Sequence, residues 1–314
     1  MDLFEQKRIE PMLIGESGEP FDDPDCIYEL KLDGERAIAY LEPGGTELRN
    51  KRNKRMLPVF PELAGLHKQA RGRCILDGEY VVLRDSKPWF AEIQRRSLMS
   101  NAFRIGLAAK QYPVSFVAFD ILYLDGKDLT KLPLMERKAI LGKTVQSESE
   151  RFALSRYIES AGKALYNHAA AQSLEGVVAK YKHSKYHQGK RTKEWIKFKN
   201  LLDDDFVVCG YIHKDNNMAS IVLGQYDEGK LVYKGHVTLG VSSIHFRLIS
   251  MVRHLENPAM KVPEGHGNER ADWVIPELVC TVKFMERTAN GGMRQPVFKG
   301  LRDDKAPEEC LVHK

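Results

Sequence analysis

The stretch Glu29-Leu30-Lys31-Leu32-Asp33-Gly34-Glu35-Arg36 decides how this chain is interpreted. It begins inside the apolar run Cys26-Ile27-Tyr28-Glu29-Leu30, which predicts a strand, so Lys31 falls where a strand gives way to a turn. A K-x-D-G string suits an amine nucleophile, because the glycine allows close backbone approach while the carboxylate and the arginine manage charge. Alone it is weak, since chance produces the string in about one in ten chains of this length. A surface turn explains it equally well.

The composition predicts a globular protein of about two domains. The chain has 314 residues, of which 43% are hydrophobic and 29% are charged. It contains no apolar run of about 18 residues, and its charged N-terminus does not resemble a signal peptide. We therefore expect a cytoplasmic protein without a membrane partner, associated with the nucleoid if its source is bacterial. The five cysteines lack a C-x-x-C pair, which predicts reduced thiols and neither a zinc ribbon nor disulfides.

The formal net charge of +5 is modest, but the positive charge is concentrated in two clusters. The first is Lys51-Arg52-Asn53-Lys54-Arg55. The second comprises Lys180, Lys182, Lys185, Lys190, Arg191, Lys193, Lys197 and Lys199. Phosphate is the natural counter-charge for such clusters, although a solvated basic face fits either one taken alone. Interleaved aromatic residues favour a nucleic-acid groove at the second cluster: Tyr181, Tyr186, Trp195 and Phe198.

The pattern of apolar runs predicts an α+β fold with largely antiparallel sheets. Short apolar runs punctuated by turn residues fill the first two hundred residues, and helices are predicted over 133–141 and 162–172. After the acidic run Asp203-Asp204-Asp205 the pattern changes to short strands with one helix, over about 242–255. We predict a first domain of this α+β class over 1–203 and a small Greek-key barrel of the oligonucleotide-binding (OB) type over 204–314.

Further strings follow the first in a fixed order, and together they resemble the ATP-dependent DNA ligases among the covalent nucleotidyltransferases. The resemblance runs from Pro11 to Lys305, and its closest shape is the ligase module of bacterial ligase D. The strings are Arg52-Asn53-Lys54, Leu76-Asp77-Gly78-Glu79, Ala118-Phe119-Asp120, Glu175-Gly176-Val177-Val178-Ala179-Lys180, Glu194-Trp195-Ile196-Lys197-Phe198-Lys199 and Gly300-Leu301-Arg302-Asp303-Asp304-Lys305. Their joint occurrence makes chance a negligible explanation.

The resemblance implies that the amine of Lys31 attacks the α-phosphate of ATP, which forms a lysyl-AMP and releases pyrophosphate. A free lysine amine has a pKa of about 10.4, whereas this attack needs a neutral amine. Nearby positive charge from Lys197, Lys199 and a divalent metal would favour the neutral form. Asp33 is expected to hold the metal or to orient the amine. Lys197 and Lys199 are expected to face the α-phosphate.

The resemblance also assigns the remaining site residues. Glu175 is the firmer ligand for Mg²⁺ or Mn²⁺, and Glu79 either binds the same metal or accepts a hydrogen bond from the ribose. Phe119 stacks on adenine, and the backbones of Glu29 and Leu30 contact the adenine edge. The residues expected to touch ribose, nick phosphate or triphosphate are Arg36, Arg52 and Arg191. Arg302 and Lys305 swing over ATP to orient the pyrophosphate, with a hinge at Asp203 to Asp205.

The resulting prediction is a monomeric ligase that uses ATP to seal nicks in double-stranded DNA during repair, with end-joining or repair proteins as candidate partners. The chain reaches its nucleophile too early for an N-terminal DNA-binding domain, so we expect partial encirclement of DNA. Three alternatives stay open: an RNA ligase, a GTP-dependent capping enzyme, and a non-catalytic nucleic-acid-binding module.

Overall fold

A computed structural model describes residues 2–15, 18–214, 218–288 and 291–312. The chain divides into two compact units, Met1–Asn200 and Leu201–Lys314. The division falls before residue 203, because Asp203 to Asp205 lie within a continuous strand of the second unit, Leu202–Lys214. The acidic run is therefore strand rather than hinge.

The first unit contains eleven strands and five helices within the described residues. The strands are β1 (Cys26–Leu30), β2 (Glu35–Glu42), β3 (Gly45–Asn50), β4 (Cys74–Arg84), β5 (Lys87–Pro88), β6 (Val114–Leu124), β7 (Lys127–Asp128), β8 (Phe152–Leu154), β9 (Tyr157–Glu159), β10 (Gly176–Tyr181) and β11 (Trp195–Lys199). The helices are α1 (Leu3–Gln6), α2 (Phe90–Ser97), α3 (Ala102–Gln111), α4 (Leu134–Thr144) and α5 (Gly162–Ala171).

These strands form two sheets that pack face to face. The smaller sheet has the order β11-β10-β1-β9, and the larger has the order β3-β2-β4-β6-β7, with β5 beside β4 and β8 beside β6. Every pairing is antiparallel except that of β6 with β8. Ile38 and Ile75 of the larger sheet share a buried cluster with Val178 and Trp195 of the smaller sheet. This arrangement confirms the predicted α+β class.

Helices cover the outer face of each sheet. Ile93 of α2 and Leu141 of α4 join the cluster on the outer side of the larger sheet. On the smaller sheet, Ala169 of α5 packs with Tyr28 and Phe198. The alternation of side chains along each strand explains this layering, because successive residues point to opposite faces and both faces are apolar.

The second unit is built around one long strand. Its elements are β12 (Leu202–Lys214), β13 (Met218–Asp227), β14 (Lys230–Val237), α6 (Ser243–Ser250), β15 (His254–Leu255), β16 (Ala271–Val274), β17 (Val279–Phe284) and β18 (Val297–Arg302). One edge of β12 pairs with β13, and the other edge pairs with β17 and then β16. Such a strand, shared between successive partners, is how a small barrel curves. The predicted OB-type barrel agrees with this topology.

Several predicted boundaries were wrong. The helix expected over 242–255 ends at Ser250, because His254 and Leu255 pair with β16 instead. Strand β16 ends at Val274 and β17 begins at Val279, because Pro276 between them lacks a backbone donor for the ladder. Helices α2 and α3 were not predicted. All five cysteines are buried free thiols, as expected.

Within the described part of the chain, no helix combines the length and the apolar character needed to cross a membrane.

Candidate active site

Strand register determines the position of Lys31. β1 pairs with β10 so that Leu30 lies opposite Val177, and the next pair places Lys31 beside Gly176, whose carbonyl accepts from the Lys31 backbone N–H at 2.9 Å. Glu175 immediately precedes β10, and its Oε2 accepts a hydrogen bond from Lys31 Nζ at 2.9 Å. The Lys31 side chain is 18% exposed and that of Glu175 is 5% exposed. The amine therefore stands at a protein surface with a carboxylate fixed behind it.

Two glycines make this approach possible. Gly176 has φ +136°, and a Cβ there would lie 1.9 Å from the carbonyl oxygen of Phe198. A Cβ on Gly34 would lie 2.1 Å from the carbonyl oxygen of Tyr80 and 2.9 Å from the Glu79 side chain. Neither position accepts a side chain without backbone movement. The glycine of the K-x-D-G string thus lets the turn after Lys31 pass directly against β4.

Lysines of β11 add positive charge near the Lys31–Glu175 pair. Lys199 Nζ lies 3.9 Å from Glu175 Oε1. Burial lowers the pKa of Lys197, and the charges of Arg191 and Lys31 lower it further. Burial raises the pKa of Glu175, and the charge of Asp33 acts in the same direction, against the lowering effect of Lys31 and Lys199. Lys197 and Lys199 therefore both act on the site from β11.

Glu79 is the second carboxyl group at the site. It lies on β4, opposite Arg36 of β2. Burial raises the pKa of Glu79 to about 8, and the charges of Glu175 and Asp77 add to that effect, while those of Arg36 and Lys31 oppose it. A nearby cation would favour ionisation of both glutamates.

A small, open cavity lies beside Lys31. Its walls mix apolar and charged groups: Ile14, Glu29, Leu30, Lys31, Leu32, Arg36, Glu79, Phe119, Ser155, Val178, Lys180 and Trp195. Six residues predicted for the site are among them. Ile14, Leu32, Ser155, Val178, Lys180 and Trp195 had no predicted place at the site.

Phe119 forms part of an aromatic and cationic wall. The guanidinium carbon of Arg36 lies 4.6 Å from the centre of the Phe119 ring. Lys180 Nζ lies 4.3 Å from the centres of both the Phe119 and Trp195 rings. The two rings meet edge to face at 6.2 Å. An aromatic wall of this kind offers a flat surface to a planar ligand.

Glu29 contributes a buried ion-pair network that its sequence did not reveal. Its carboxylate accepts from Lys138 of α4, and it accepts from Lys180 of β10 at 2.6 Å. Burial lowers the pKa of Lys180 to about 8, although the charge of Glu29 opposes that effect. The side chain of Glu29 is therefore engaged within the protein, alongside the backbone role predicted for it.

Arg36 is held by another unpredicted partner, Asp77. Two hydrogen bonds of 2.6 Å join its Nε and Nη2 to the two carboxylate oxygens of Asp77. Tyr186 donates to the same carboxylate at 2.5 Å. Asp77 belongs to the Leu76-Asp77-Gly78-Glu79 string, so the sequence singled out its position. That Asp77 binds Arg36 could not be predicted from the string. The pair fixes the guanidinium against the Phe119 ring.

Eight predicted residues are not among those that line the cavity: Asp33, Glu175, Lys197, Lys199, Arg52, Arg191, Arg302 and Lys305. Arg52 is exposed on the turn after β3, and Arg191 is exposed while its Nη1 donates to the carbonyl of Ile14. Arg302 and Lys305 belong to the second unit, where both bind Asp205. Their proposed contacts with a nucleotide or with DNA remain predictions.

The second basic cluster is not a continuous aromatic-lined groove. Trp195, Phe198 and Tyr186 are buried in the core, and Lys180 is only 3% exposed. Trp195 and Phe198 point to opposite faces of β11, and both faces are covered: Trp195 packs between the two sheets with Tyr186, and Phe198 packs with Ala169 of α5. The interleaved aromatics therefore support the fold and the cavity wall, and the prediction of a surface groove was wrong for them.

The carboxylates fit a metal that takes most of its ligands from elsewhere. Within the described ranges, no three or more His, Cys, Asp or Glu side chains are grouped as a metal cage. Mg²⁺ usually binds one or two carboxylates and completes its shell with water and phosphate oxygens. Glu175, with Glu79 across the cavity mouth, supplies such a donor set.

Comparison with known proteins adds an independent line of information. Residues 12–199 match the family described as ATP dependent DNA ligase domain, and residues 214–305 match the ATP dependent DNA ligase C terminal region. The multifunctional non-homologous end joining protein LigD of Pseudomonas aeruginosa is 32% identical over 300 residues, which cover 90% of this chain and 34% of that protein. The chain therefore spans about a third of the length of LigD.

Two further matches cover both partners almost completely. DNA ligase C1 of Mycolicibacterium smegmatis is 32% identical over 334 residues, with 99% of this chain and 94% of the relative covered. A solved structure described as mycobacterial DNA ligase D complexed with ATP and MES superposes with a TM-score of 0.57 at 26% identity, covering 100% of each chain.

Proposed function

The chain belongs to the ATP-dependent DNA ligases, and from this premise we propose that it adenylates Lys31 and uses the captured AMP to seal nicked duplex DNA. One observation carries the proposal: Lys31 Nζ is hydrogen-bonded to Glu175, near Lys199, beside a cavity lined by Arg36, Glu79 and Phe119. A simple surface turn would not need this arrangement. Membership of the family confirms the resemblance that the ordered strings carry.

The first step joins Lys31 to AMP. Its Nζ forms a bond to the α-phosphorus, the bond from that phosphorus to the bridging oxygen breaks, and the electron pair leaves with pyrophosphate. The amine proton departs along the hydrogen bond to Glu175 Oε2, which the structure holds at 2.9 Å. Lys197 and Lys199 stabilise the charge that builds on the α-phosphate oxygens. Asp33 orients the amine from the turn that follows it.

Two later steps complete the reaction. The 5′-phosphate at the nick attacks the lysyl-AMP phosphorus and releases the Lys31 amine, which leaves an adenylated DNA end. The 3′-hydroxyl then attacks that 5′-phosphate and expels AMP. Both steps reuse the cationic side chains at the site, because each passes through a phosphorus centre that carries additional negative charge.

The cavity wall binds the nucleoside. Phe119 stacks on adenine, while the backbones of Glu29 and Leu30 bond its edge and Trp195 closes the wall. Arg36, fixed by Asp77, reaches the ribose, and Glu79 either accepts from a ribose hydroxyl or binds the cation described next. The ion pairs of Glu29 hold β1 at the depth that this binding requires.

A divalent cation, Mg²⁺ or Mn²⁺, belongs beside Glu175, with Glu79 as a second ligand. When bound, it neutralises phosphate charge and favours the unprotonated amine. The proposal rests on two glutamates whose pKa values burial raises. A cation is a physical reason for placing ionisable carboxyl groups there.

DNA is the proposed polymer partner, and repair is the proposed setting. Arg52 in the exposed cluster Lys51–Arg55 and exposed Arg191 supply phosphate contacts at the nick. The relatives named for end joining make end-joining or repair proteins the candidate partners. We propose that the chain acts as a monomer in the cytoplasm.

Replacement of the nucleophile tests the mechanism directly. Lys31→Ala should form no covalent AMP adduct with labelled ATP, because this change removes the amine that is bonded to Glu175 Oε2. The matched control is Lys127→Ala, which removes an exposed lysine from β7 and should leave the adduct yield unchanged. Adduct formation is measured by label retained on the denatured protein. An undiminished adduct in Lys31→Ala would sink the proposal.

The same assay separates the competing activities. ATP, GTP and NAD are compared as adenylate or guanylate donors, and nicked DNA and nicked RNA are compared as acceptors. The proposal expects adducts with ATP and sealing of DNA. Capping chemistry would show an adduct with GTP, an RNA ligase would prefer RNA, and a binding module would show no adduct with any donor.

A further inference from the structure

Asp205 is a nearly buried carboxylate that binds two cations of the final motif. It lies on β12 and is 8% exposed. Its Oδ2 accepts from Arg302 Nη1 at 2.7 Å and from Lys305 Nζ at 2.8 Å, while its Oδ1 accepts from the Thr281 hydroxyl at 2.7 Å. One carboxylate thus joins residues that are 97 and 100 positions away in the chain.

Strand register explains why these groups meet. Asp205 of β12 lies opposite Thr281 of β17, and Thr281 in turn lies opposite Gly300 of β18. The three positions form one row across three strands. Arg302 ends β18, and Lys305 follows shortly after it. This row places Asp205 beside the end of β18, near Arg302 and the following Lys305.

Electrostatic interactions stabilise the contacts of Asp205 with Arg302 and Lys305. Burial acts to raise the pKa of Asp205, but the hydrogen bonds from Lys305 and Thr281 and the charges of Lys305 and Arg302 outweigh it and lower the pKa. Asp205 therefore stays ionised near neutral pH. A buried carboxylate that has lost its cations is strongly destabilising, so Asp205 and its two partners hold one another in place.

The two guanidinium nitrogens of Arg302 that do not bind Asp205 are bonded to an exposed carboxylate. Arg302 Nε and Nη2 donate to the two oxygens of Asp304, at 2.9 and 2.6 Å. The Asp304 side chain is 62% exposed, whereas that of Asp205 is 11% exposed. A two-pronged edge of this kind matches a pair of phosphate oxygens. Exposed Asp304 can move away from it, because its own desolvation and packing cost is small.

We propose that Asp205 is a positioning residue that holds Arg302 and Lys305 side by side as a preformed site for the pyrophosphate portion of ATP. Asp304 occupies the guanidinium edge until phosphate replaces it. The inference rests on the proposed function, because it gives Arg302 and Lys305 a phosphate ligand. It adds a residue of β12 that no motif had marked.

The neighbouring acidic residues provide contrasts. Asp204 binds Arg287 and Gln225 rather than the final motif. Asp203 is exposed at the start of the same strand. If acidic charge on β12 were sufficient, all three residues would be equivalent. The proposal assigns the effect on pyrophosphate to Asp205.

The test separates self-adenylation from sealing of a nick that already carries AMP. Asp205→Asn should slow self-adenylation with ATP by about 10- to 100-fold. Loss of one direct donor at a transition state costs about 100- to 1,000-fold, and Asp205 acts only through Arg302 and Lys305, so a smaller loss is expected. Sealing of the pre-adenylated nick should stay within about twofold of the unaltered chain, since that step contains no pyrophosphate. Asp203→Asn should leave both rates unchanged.

Three further variants test for a merely structural effect. Asp204→Asn breaks a neighbouring ion pair on the same strand. It should therefore show any loss of stability that it shares with Asp205→Asn, but without a selective loss of self-adenylation. In an Arg302→Ala background, Asp205→Asn should add little to the defect, because the two residues act through one contact. Asp205→Glu should restore part of the rate.

Several outcomes would overturn the inference. These are a normal first step in Asp205→Asn, equal loss of both steps, or fully additive effects with Arg302→Ala. Failure of the proposed function has a different signature: the Lys31→Ala protein would then form the adduct, or the unaltered chain would form none with ATP.

Discussion

Glu29 and Lys31 lie two residues apart at the end of β1, and this spacing brings both to the same cavity. Successive strand residues point to opposite faces, so a separation of two returns the chain to the same side. Glu29 reaches inward to Lys138 and Lys180, while Lys31 meets Glu175. Glu29 therefore stabilises β1 through its ion pairs, and Lys31, two residues later, presents its amine to the same cavity.

Lys180 supports a prediction about pH. Burial lowers its pKa to about 8 in the folded protein from an ordinary 10.5. Between these values the unfolded chain keeps the proton that the folded chain has lost, so this group makes the free energy of unfolding rise with pH. Relative to Lys180→Met, the unaltered protein should gain on the order of 1–3 kcal/mol from pH 8 to 10.5.

Urea unfolding at several pH values measures this difference. Lys182→Met is the matched control, because Lys182 follows the same strand but its side chain is 28% exposed in an ion pair with Glu159. Its pH profile should parallel that of the unaltered protein. Parallel profiles for both variants would show that Lys180 does not titrate in this range.

The sequence identified Lys31, Glu175, Lys197 and Lys199 because each stands in an ordered string. It did not identify the partners of Glu29 and Arg36. Lys138 is 109 positions from Glu29, and Asp77 is 41 positions from Arg36. Such pairings follow from strand register and helix packing, which are tertiary properties. The sequence strings therefore predicted the site residues, whereas the partners that hold Glu29 and Arg36 in position became visible only in the folded structure.

At the scale of elements, helix α4 is fixed to strand β6 by a fully buried ion pair. Arg137 Nε and Nη2 donate to the two oxygens of Asp120 at 2.8 Å each, and both side chains are 0% exposed. Arg137 Nη1 also donates to the carbonyls of Leu132 and Ser184. Asp120 follows Phe119 directly, so this anchor fixes the strand at the aromatic wall. The Ala118-Phe119-Asp120 string thus combines a ring that lines the cavity with the residue that anchors its strand.

Breaking that anchor should be costly. Arg137→Leu leaves the Asp120 carboxylate buried without its cation, which should lower the free energy of unfolding by about 3–5 kcal/mol. Arg156→Leu is the control, because Arg156 and Glu148 form an exposed pair with side chains 76% and 34% accessible. That change should cost less than about 1 kcal/mol. Similar losses in the two variants, measured by urea unfolding, would contradict an anchoring role for Arg137.

Helices α2 and α3 escaped prediction for physical reasons. Arg96 of α2 is 0% exposed and paired with Glu62, so a charged residue occupies a position where an apolar one is expected. On α3, Phe103 and Leu107 are 76% and 53% exposed. The spacing of apolar residues along α3 therefore does not indicate which face of the helix is buried. Periodicity identifies a helix when hydrophobicity follows burial, and in these two segments it does not.

At the scale of the whole molecule, the two basic clusters turned out to differ. Lys51, Arg52, Lys54 and Arg55 are all exposed on the turn after β3. In the second cluster, Lys180 is buried in an ion pair, and Lys199 lies beside Glu175. Charge density in the sequence could not distinguish these cases, because it carries no information on which side chains face outward. The first cluster is therefore the stronger candidate for phosphate contacts that hold DNA.

Salt dependence tests that assignment without requiring a structure of the complex. Each lysine that neutralises a phosphate releases a counterion, so removal of one such lysine lowers the slope of log affinity against log salt concentration by about one. Lys51→Gln combined with Lys54→Gln should therefore weaken binding to nicked duplex and reduce the slope by about two. The control is Lys127→Gln with Lys131→Gln, which lowers the net charge equally at exposed positions. If net charge alone governed binding, the two double variants would behave alike. A reduced slope confined to the first would place the phosphate contacts at the turn after β3.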